Sequence, residues 1–327
     1  MGRYTIYSVS VQIHNALAQH KGEVGQSLMI ARKYLYLIAL AKEKHFGRAA
    51  ASCHVSTSTL SAAIRDLETE LGIAVVERGQ HFTALTPEGQ RVLDYAQRMA
   101  AQSEALRQDL ARLQGGLSGQ LRLGVIPTAL TRVAELTASF ARRHPQTTML
   151  VRSLATHEIL QALRSFELDA GIVYSESGGD PDLAFQPLWE EGHVLITASD
   201  RFAGRTAIGW SEAAELPLCL LTPDMQNRKI IDKVFAELGH PVSPRIETNS
   251  IVSILANTVA GPCSSIVPRA VLETIGTPAG LIVLDLKEPA VAWATGLITP
   301  ARDPQSPMAA ALREEARTLR ALSGKDE

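Results

Sequence analysis

From Gln90 to Gln114 the chain runs without glycine or proline, and this run divides the sequence into two unequal parts. Thr86 can cap a helix whose first position is Pro87, where a missing N–H costs nothing, and Gly115-Gly116 stops it. Leu93, Ala96, Ala100, Ser103, Leu106, Leu110 and Leu113 recur at three- and four-residue steps along one side. At ~1.5 Å per residue such a helix is ~40 Å long. It has no partner adjacent in sequence, so the stripe most simply packs on a second copy of itself, with packing on the C-terminal part as the alternative. The expected layout is therefore a small domain at 29–86, a linker and dimerisation helix at 87–116, and a larger domain at 119–327.

In the small domain, Leu35, Ile38, Leu40 and Ala41 recur at helical spacing from Ile30 to Lys44. An alanine-rich helix from Arg48 to Cys53 and the turn His54-Val55 follow. Ser56 is a good N-cap for a third helix, in which Leu60, Ile64, Leu67 and Leu71 form an apolar stripe that Gly72 terminates. Small Ala49 and Ala50 let neighbouring helices cross closely, as a helix-turn-helix requires. Ile73–Val76 and Phe82–Leu85 read as two short strands around Glu77-Arg78-Gly79-Gln80-His81, a wing.

The third helix turns Thr57, Ser58, Ser61, Ala62 and Arg65 away from its apolar stripe. Short polar side chains plus one long cation suit a helix lying deep in the major groove, where bulk would hold it off the base edges. The other reading is an ordinary solvated face. Arg48, Ser56 and the wing residues Arg78 and His81 complete the expected DNA contacts, the wing reaching toward the minor groove. The net charge of −2 averages over the whole chain. Locally Arg32, Lys33, Lys42, Lys44, Arg48, Arg65 and Arg78 permit a basic surface.

Cys53, Cys219 and Cys263 are far apart and lack metal-ligand spacing, no secretory signal opens the chain, and no apolar run is long enough to span a bilayer. The expectation is a cytoplasmic protein without metal, cofactor or membrane association. Neither a nucleophile–base pair nor a glycine-rich phosphate loop points to an enzyme.

His45-Phe46-Gly47-Arg48-Ala49-Ala50, His54-Val55-Ser56, Leu60-Ser61, Ile64, Leu67-Glu68, Leu71-Gly72, Glu77-Arg78 and Leu85-Thr86-Pro87-Glu88-Gly89 together resemble the LysR-type transcriptional regulators. Thr57-Ser58 stands where that family usually has Gln-Pro, so glutamine contacts to bases do not carry over. The resemblance implies a start at Met29, with 1–28 an extension outside the native fold. It also implies a homodimer, further assembly to a homotetramer, a palindromic double-stranded operator, and RNA polymerase as a further partner.

From Gln120 onward strand and helix patterns alternate, which argues for parallel strands flanked by helices. Expected strands are Leu121–Ile126, Thr148–Val151, Leu168–Tyr174, Val194–Ala198, Leu218–Leu221, Arg245–Glu247, Ser264–Val267 and Val291–Thr299. Expected helices are Thr128–Arg143, His157–Phe166, Asn227–Leu238, one near Ser250–Thr258, and Met308–Leu322. The fold class is thus α/β with an all-α-rich N-terminal part: a winged helix-turn-helix, a long linker helix and a two-lobed effector domain. The lobes, about 119–188 with 291–327 and about 189–290, resemble periplasmic binding proteins.

In such a fold ligands sit between lobes at strand-to-helix junctions. The candidates are Thr128, Ala129, Thr156, Gln226, Asn227 and Ser264, for a small anionic or polar effector, with Arg228 read either as a countercharge or as an ordinary solvated helix arginine. The alternative within the same family is a thiol-based redox sensor. Against it, Cys219 lies in an apolar run and should be buried, and more than forty residues separate it from Cys263.

Overall fold

A computed structural model describes residues 32–77, 84–114, 116–177, 179–301 and 305–323. The expected extension 1–28 and the wing residues Arg78 and His81 lie outside them. The chain divides into two compact units after Gln114. No helix among the described residues is long and apolar enough to cross a membrane.

The first unit holds α1 (Arg32–Glu43), α2 (Phe46–Ser52), α3 (Thr57–Leu71) and α4 (Pro87–Gln114). Leu37, Leu40, Ala49, Ala50, Leu60, Ile64, Leu67, Val75 and Leu93 are buried in one core. α2 begins before the expected Arg48 because the His45 ring caps it: Nδ1 accepts from the backbone N–H groups of Gly47 and Arg48 at 3.0 and 3.3 Å. Ser56 Oγ accepts from the Thr59 N–H at 3.1 Å, and Gly72 closes α3 at φ 68°, a left-handed turn that glycine adopts without strain. Leu71, placed on the apolar stripe, is exposed at the last turn of α3.

The Leu67-Glu68 and Leu85–Gly89 motifs acquire physical roles. Glu68 Oε1 accepts from the N–H groups of Val75 and Val76 at 2.8 and 3.1 Å, folding the segment after α3 back on the helix. Thr86 Oγ1 donates to Ala74 O at 2.7 Å and accepts from the Gly89 N–H at 2.9 Å. A Cβ at Gly89 would stand 2.0 Å from Val75 O, so only glycine lets α4 press this closely on that carbonyl. The expected strands reduce here to one bridge, Val76 to Leu85, with 78–83 outside the described residues.

The second unit contains β1 (Gly119–Val125), α5 (Val133–Arg143), β2 (Thr147–Ser153), α6 (Thr156–Arg164), β3 (Ala170–Tyr174) and β4 (Leu183–Ala198). β5 (Ala207–Gly209), α7 (Trp210–Ala214), β6 (Cys219–Leu221), α8 (Gln226–Glu237), β7 (Ile246–Thr248) and α9 (Ile251–Ala260) follow. β8 (Ser265–Pro268), α10 (Arg269–Ile275), β9 (Leu281–Lys287), β10 (Ala292–Pro300) and α11 (Pro307–Ser323) complete it. β1 is parallel to β2 and β3, while β10 runs antiparallel between β3 and β4. β4 pairs with β10 as far as Gly192 and with β8 and β9 from His193 onward, so one strand serves two sheets. The change of sheet falls inside the strand, beyond the expected boundary at 188/189, because β4 crosses without a break.

Several elements differ from expectation for local reasons. The helix expected from Thr128 is split into a 3-10 turn at Pro127–Ala129 and α5. The front half of β4 carries Pro187, which lacks the N–H of a ladder partner. Thr295 pairs with Trp189 and Gly296 with Pro187, which leaves Leu188 as a bulge on β4 beside the proline.

Candidate functional site

Two groups of residues stand out, one in each unit. On α3 the buried Leu60, Ile64 and Leu67 face the core. Thr57, Ser58 and Arg65 are exposed, and Ser61 and Ala62 are half-buried beside them. The face is therefore short-chained and polar with one protruding cation, as a groove-reading helix needs. Ser56 is committed to the cap, its Oγ lying 2.8 Å from both Ser58 Oγ and Thr59 Oγ1. Arg48 donates to Glu43 O at 2.6 Å and pairs with the Glu43 carboxylate at 3.6 Å, so its guanidinium is held by α1.

In the second unit a buried polar cluster forms where β3, β4 and the start of α8 meet. Tyr174, at the end of β3, donates its hydroxyl proton to Glu191 Oε2 at 2.9 Å. Its oxygen lies 3.1 Å from Thr128 Oγ1 and accepts from Asn227 Nδ2 at 3.2 Å. The same Asn227 nitrogen lies 2.7 Å from His193 Nε2. An amide N–H can only donate, so Nε2 is the acceptor and the ring proton sits on Nδ1. His193 Nδ1 and Thr156 Oγ1 are buried without a hydrogen-bond partner.

Burial sets the charge state of this cluster. Removal from water lifts the Glu191 carboxyl to about 7, against hydrogen bonds from Tyr174 and Trp189 and the charge of Arg132, which lower it. Burial also pushes His193 down to about 3 and holds the ring neutral. The Tyr174 phenol is raised by burial and by Glu191. His193 packs edge-on against Trp293, with ring centroids 4.9 Å apart.

The expected ligand residues divide accordingly. Thr128 and Asn227 meet through Tyr174, and Gln226 Nε2 donates to Glu176 Oε2 at 3.4 Å across the same junction. Thr156 is buried at the first position of α6. Ala129 is fully buried and offers no accessible surface. Ser264 is elsewhere: its hydroxyl donates to Thr197 Oγ1 at 2.8 Å and accepts from Arg201 at 3.1 Å, because β4 and β8 pair beside it. Arg228 is held by Leu221 O, Asp232 and Glu247 at 2.6–2.9 Å and is no countercharge for a ligand. Tyr174, Glu191 and His193 lie on strands, away from the junctions, and the junction rule passes over them.

The cysteines are all free thiols and buried. Cys219 N–H donates to Ser264 O at 2.9 Å, and Cys219 and Cys263 share one apolar core. Their separation in sequence therefore does not separate them in space. Burial, with Cys263 adding to it, pushes the Cys219 thiol up to about 11, and burial raises Cys53 as well.

Residues 31–90 match the model of the bacterial regulatory helix-turn-helix proteins of the lysR family, and residues 114–321 match the LysR substrate binding domain. A probable hydrogen peroxide-inducible genes activator of Streptomyces viridosporus is 30% identical over 291 residues, 86% of this chain and 92% of that protein. The Escherichia coli dual regulator OxyR is 27% identical over 295 residues, 90% of this chain and 95% of its own. A full-length OxyR variant of Pseudomonas aeruginosa has a similar structure, with TM-score 0.69 and 26% identity over 88% of this chain and 96% of that one.

Proposed function

Because the chain belongs to the LysR family of helix-turn-helix transcriptional regulators, we propose that it binds a palindromic operator as a homodimer and that a small polar molecule between its lobes sets its activity. α3 is the reading element, with Arg65, Thr57, Ser58 and Ser61 toward the bases. The dimer forms through α4, which exposes Tyr95, Met99, Leu106, Leu110 and Leu113 at helical spacing. Two copies place two reading helices one DNA turn apart. Pairing of dimers gives the tetramer, and RNA polymerase is the partner met at the promoter.

The observation that supports an effector is the cluster joining the two lobes through one amide, Asn227, in which His193 Nδ1 is buried without a partner, as Thr156 Oγ1 is at the first position of α6. Leaving such atoms unpaired costs ~1–3 kcal/mol each, and a hydrogen-bonding ligand relieves that cost. The cluster contains neutral donors and acceptors plus a carboxyl, while the nearby Arg228 is already neutralised. This favours a polar, uncharged effector over an anion. Thr156→Val tests it, since the substitution keeps the shape and removes a hydroxyl that has no partner. A thermal-shift screen of neutral polyols, sugars and amides, with carboxylates as controls, identifies the ligand. The variant should then melt no lower than the parent, and the effector should no longer alter its DNA footprint. An unchanged response places the effector elsewhere.

Thiol-based sensing is the second reading, favoured by the names of the relatives and by the nearness of Cys219 to Cys263. It requires a thiolate, and burial opposes one at Cys219.

A further inference from the structure

α11 carries Arg313, Arg317 and Arg320 at positions i, i+4 and i+7, so three guanidiniums rise from one helix face. Along that face runs the front half of β4. Between them lies a groove of about 550 Å3, lined by the three arginines with Phe185, Gln186, Pro187 and Ala321. Gly296 on β10 lets the strand bearing Phe185 pack closely, because a Cβ there would lie 2.6 Å from the Phe185 ring and 2.4 Å from Gln186 O.

The polar groups of the groove are only partly matched. Gln186 Nε2 donates to Arg313 O at 3.2 Å, which anchors the strand to the helix, yet Gln186 Oε1 is buried with no partner. Arg313 donates to Thr299 Oγ1 at 3.3 Å and Arg320 to Pro187 O at 3.3 Å. Arg317 pairs with Glu314 at 3.0 Å. Among the described residues neither Arg313 nor Arg320 has a carboxylate partner. Burial and the like charge of Arg317 lower the Arg313 guanidinium from its ordinary value. An anion in the groove would relieve that repulsion.

We propose that this groove is a second ligand site, separate from the inter-lobe cluster, for a small dianion. Arginine forks match carboxylate and phosphate oxygens two at a time, while Phe185 and Pro187 cover the body of the ligand. Dicarboxylates and phosphomonoesters both present such oxygens.

The test is calorimetric titration of the full chain with L-malate and with phenyl phosphate, at one ionic strength held by sodium chloride. At least one probe should bind, and its identity distinguishes the two sources. In Arg317→Ala/Arg320→Ala, binding should weaken at least tenfold with an unchanged melting temperature in the absence of ligand. Arg317→Lys/Arg320→Lys keeps the charge and loses the forks, so it should weaken binding several-fold and serves if the alanine pair fails to fold. Thr156→Val should bind the same probe as the parent does. No heat from either anion, undiminished affinity in both arginine variants, or loss of binding in Thr156→Val would each overturn the site.

Discussion

Asn227 Nδ2 lies 2.7 Å from His193 Nε2, so the first turn of α8 is fastened to the strand that passes from one sheet into the other. The same amide reaches Tyr174 and, through it, Glu191. Two groups with opposite responses to pH are thereby joined in one buried cluster.

Glu191 takes up its proton more readily in the folded chain, near 7 against an ordinary 4.5, so its contribution to stability falls as pH rises between those values. His193 must stay neutral, near 3 against 6.5, so its contribution rises with pH over that span. Where the two spans overlap, the slopes oppose and leave a plateau. Glu191→Gln should remove the falling limb, leaving stability that climbs to about pH 6.5 and then levels. At pH 8 the variant should exceed the parent by ~1–3 kcal/mol. Urea unfolding followed by tryptophan fluorescence reads this, since Trp189, Trp210 and Trp293 all lie in the second unit. Parallel pH profiles for parent and variant would show that Glu191 keeps ordinary acidity.

Arg65 protrudes from the reading face of α3. Arg65→Ala should weaken binding to the palindromic site by ~1–3 kcal/mol and to random DNA by less. Gel-shift titration of both probes at one salt concentration measures the difference. Equal losses would reduce Arg65 to a phosphate contact.

Leu106 and Leu110 are exposed on α4, on the stripe assigned to the dimer. Replacing both with glutamate puts four charges into a two-fold interface, and sedimentation should show the protomer. Operator affinity should fall in parallel, because the two half-sites are no longer read together. A variant that remains dimeric would assign the interface to another surface.

Iodoacetamide should label native Cys219 and Cys263 at less than a tenth of the rate found in urea, because both thiols are buried and Cys219 titrates near 11. Rapid native labelling, or a Cys219–Cys263 disulfide formed by hydrogen peroxide in the folded protein, would instead support thiol sensing.

The reading head was the most legible part of the chain because its signals are local. Ser56, Gly72, Thr86 and the Leu60, Ile64, Leu67 repeat act within a few residues of their own position. The sensor was legible in its parallel strands and hidden in its antiparallel ones. Leu183–Gly192 carries Pro187 and mixed polarity, and only its pairing with Ala292–Pro300 makes it a strand. The junction rule selected Thr128, Thr156 and Asn227, of which Thr128 and Asn227 meet through Tyr174. Tyr174, Glu191 and His193 lie on strands whose neighbours are distant in sequence, so no periodicity brings them together. Ser264 followed the same junction rule, and its hydroxyl is engaged by Thr197 and Arg201 apart from that cluster.

The contact between Gly89 and the Val75 carbonyl makes a lever of α4. With no side chain between them, the helix base cannot pivot on the reading head without breaking van der Waals contact, so helix and head turn as one piece. A rod ~40 Å long that tilts by ~10° at its far end displaces its base by ~7 Å. That distance is comparable to two base-pair steps along a duplex. A change of angle too small to disturb any packed core is therefore sufficient to move α3 by the distance that would take it out of register with the proposed half-site.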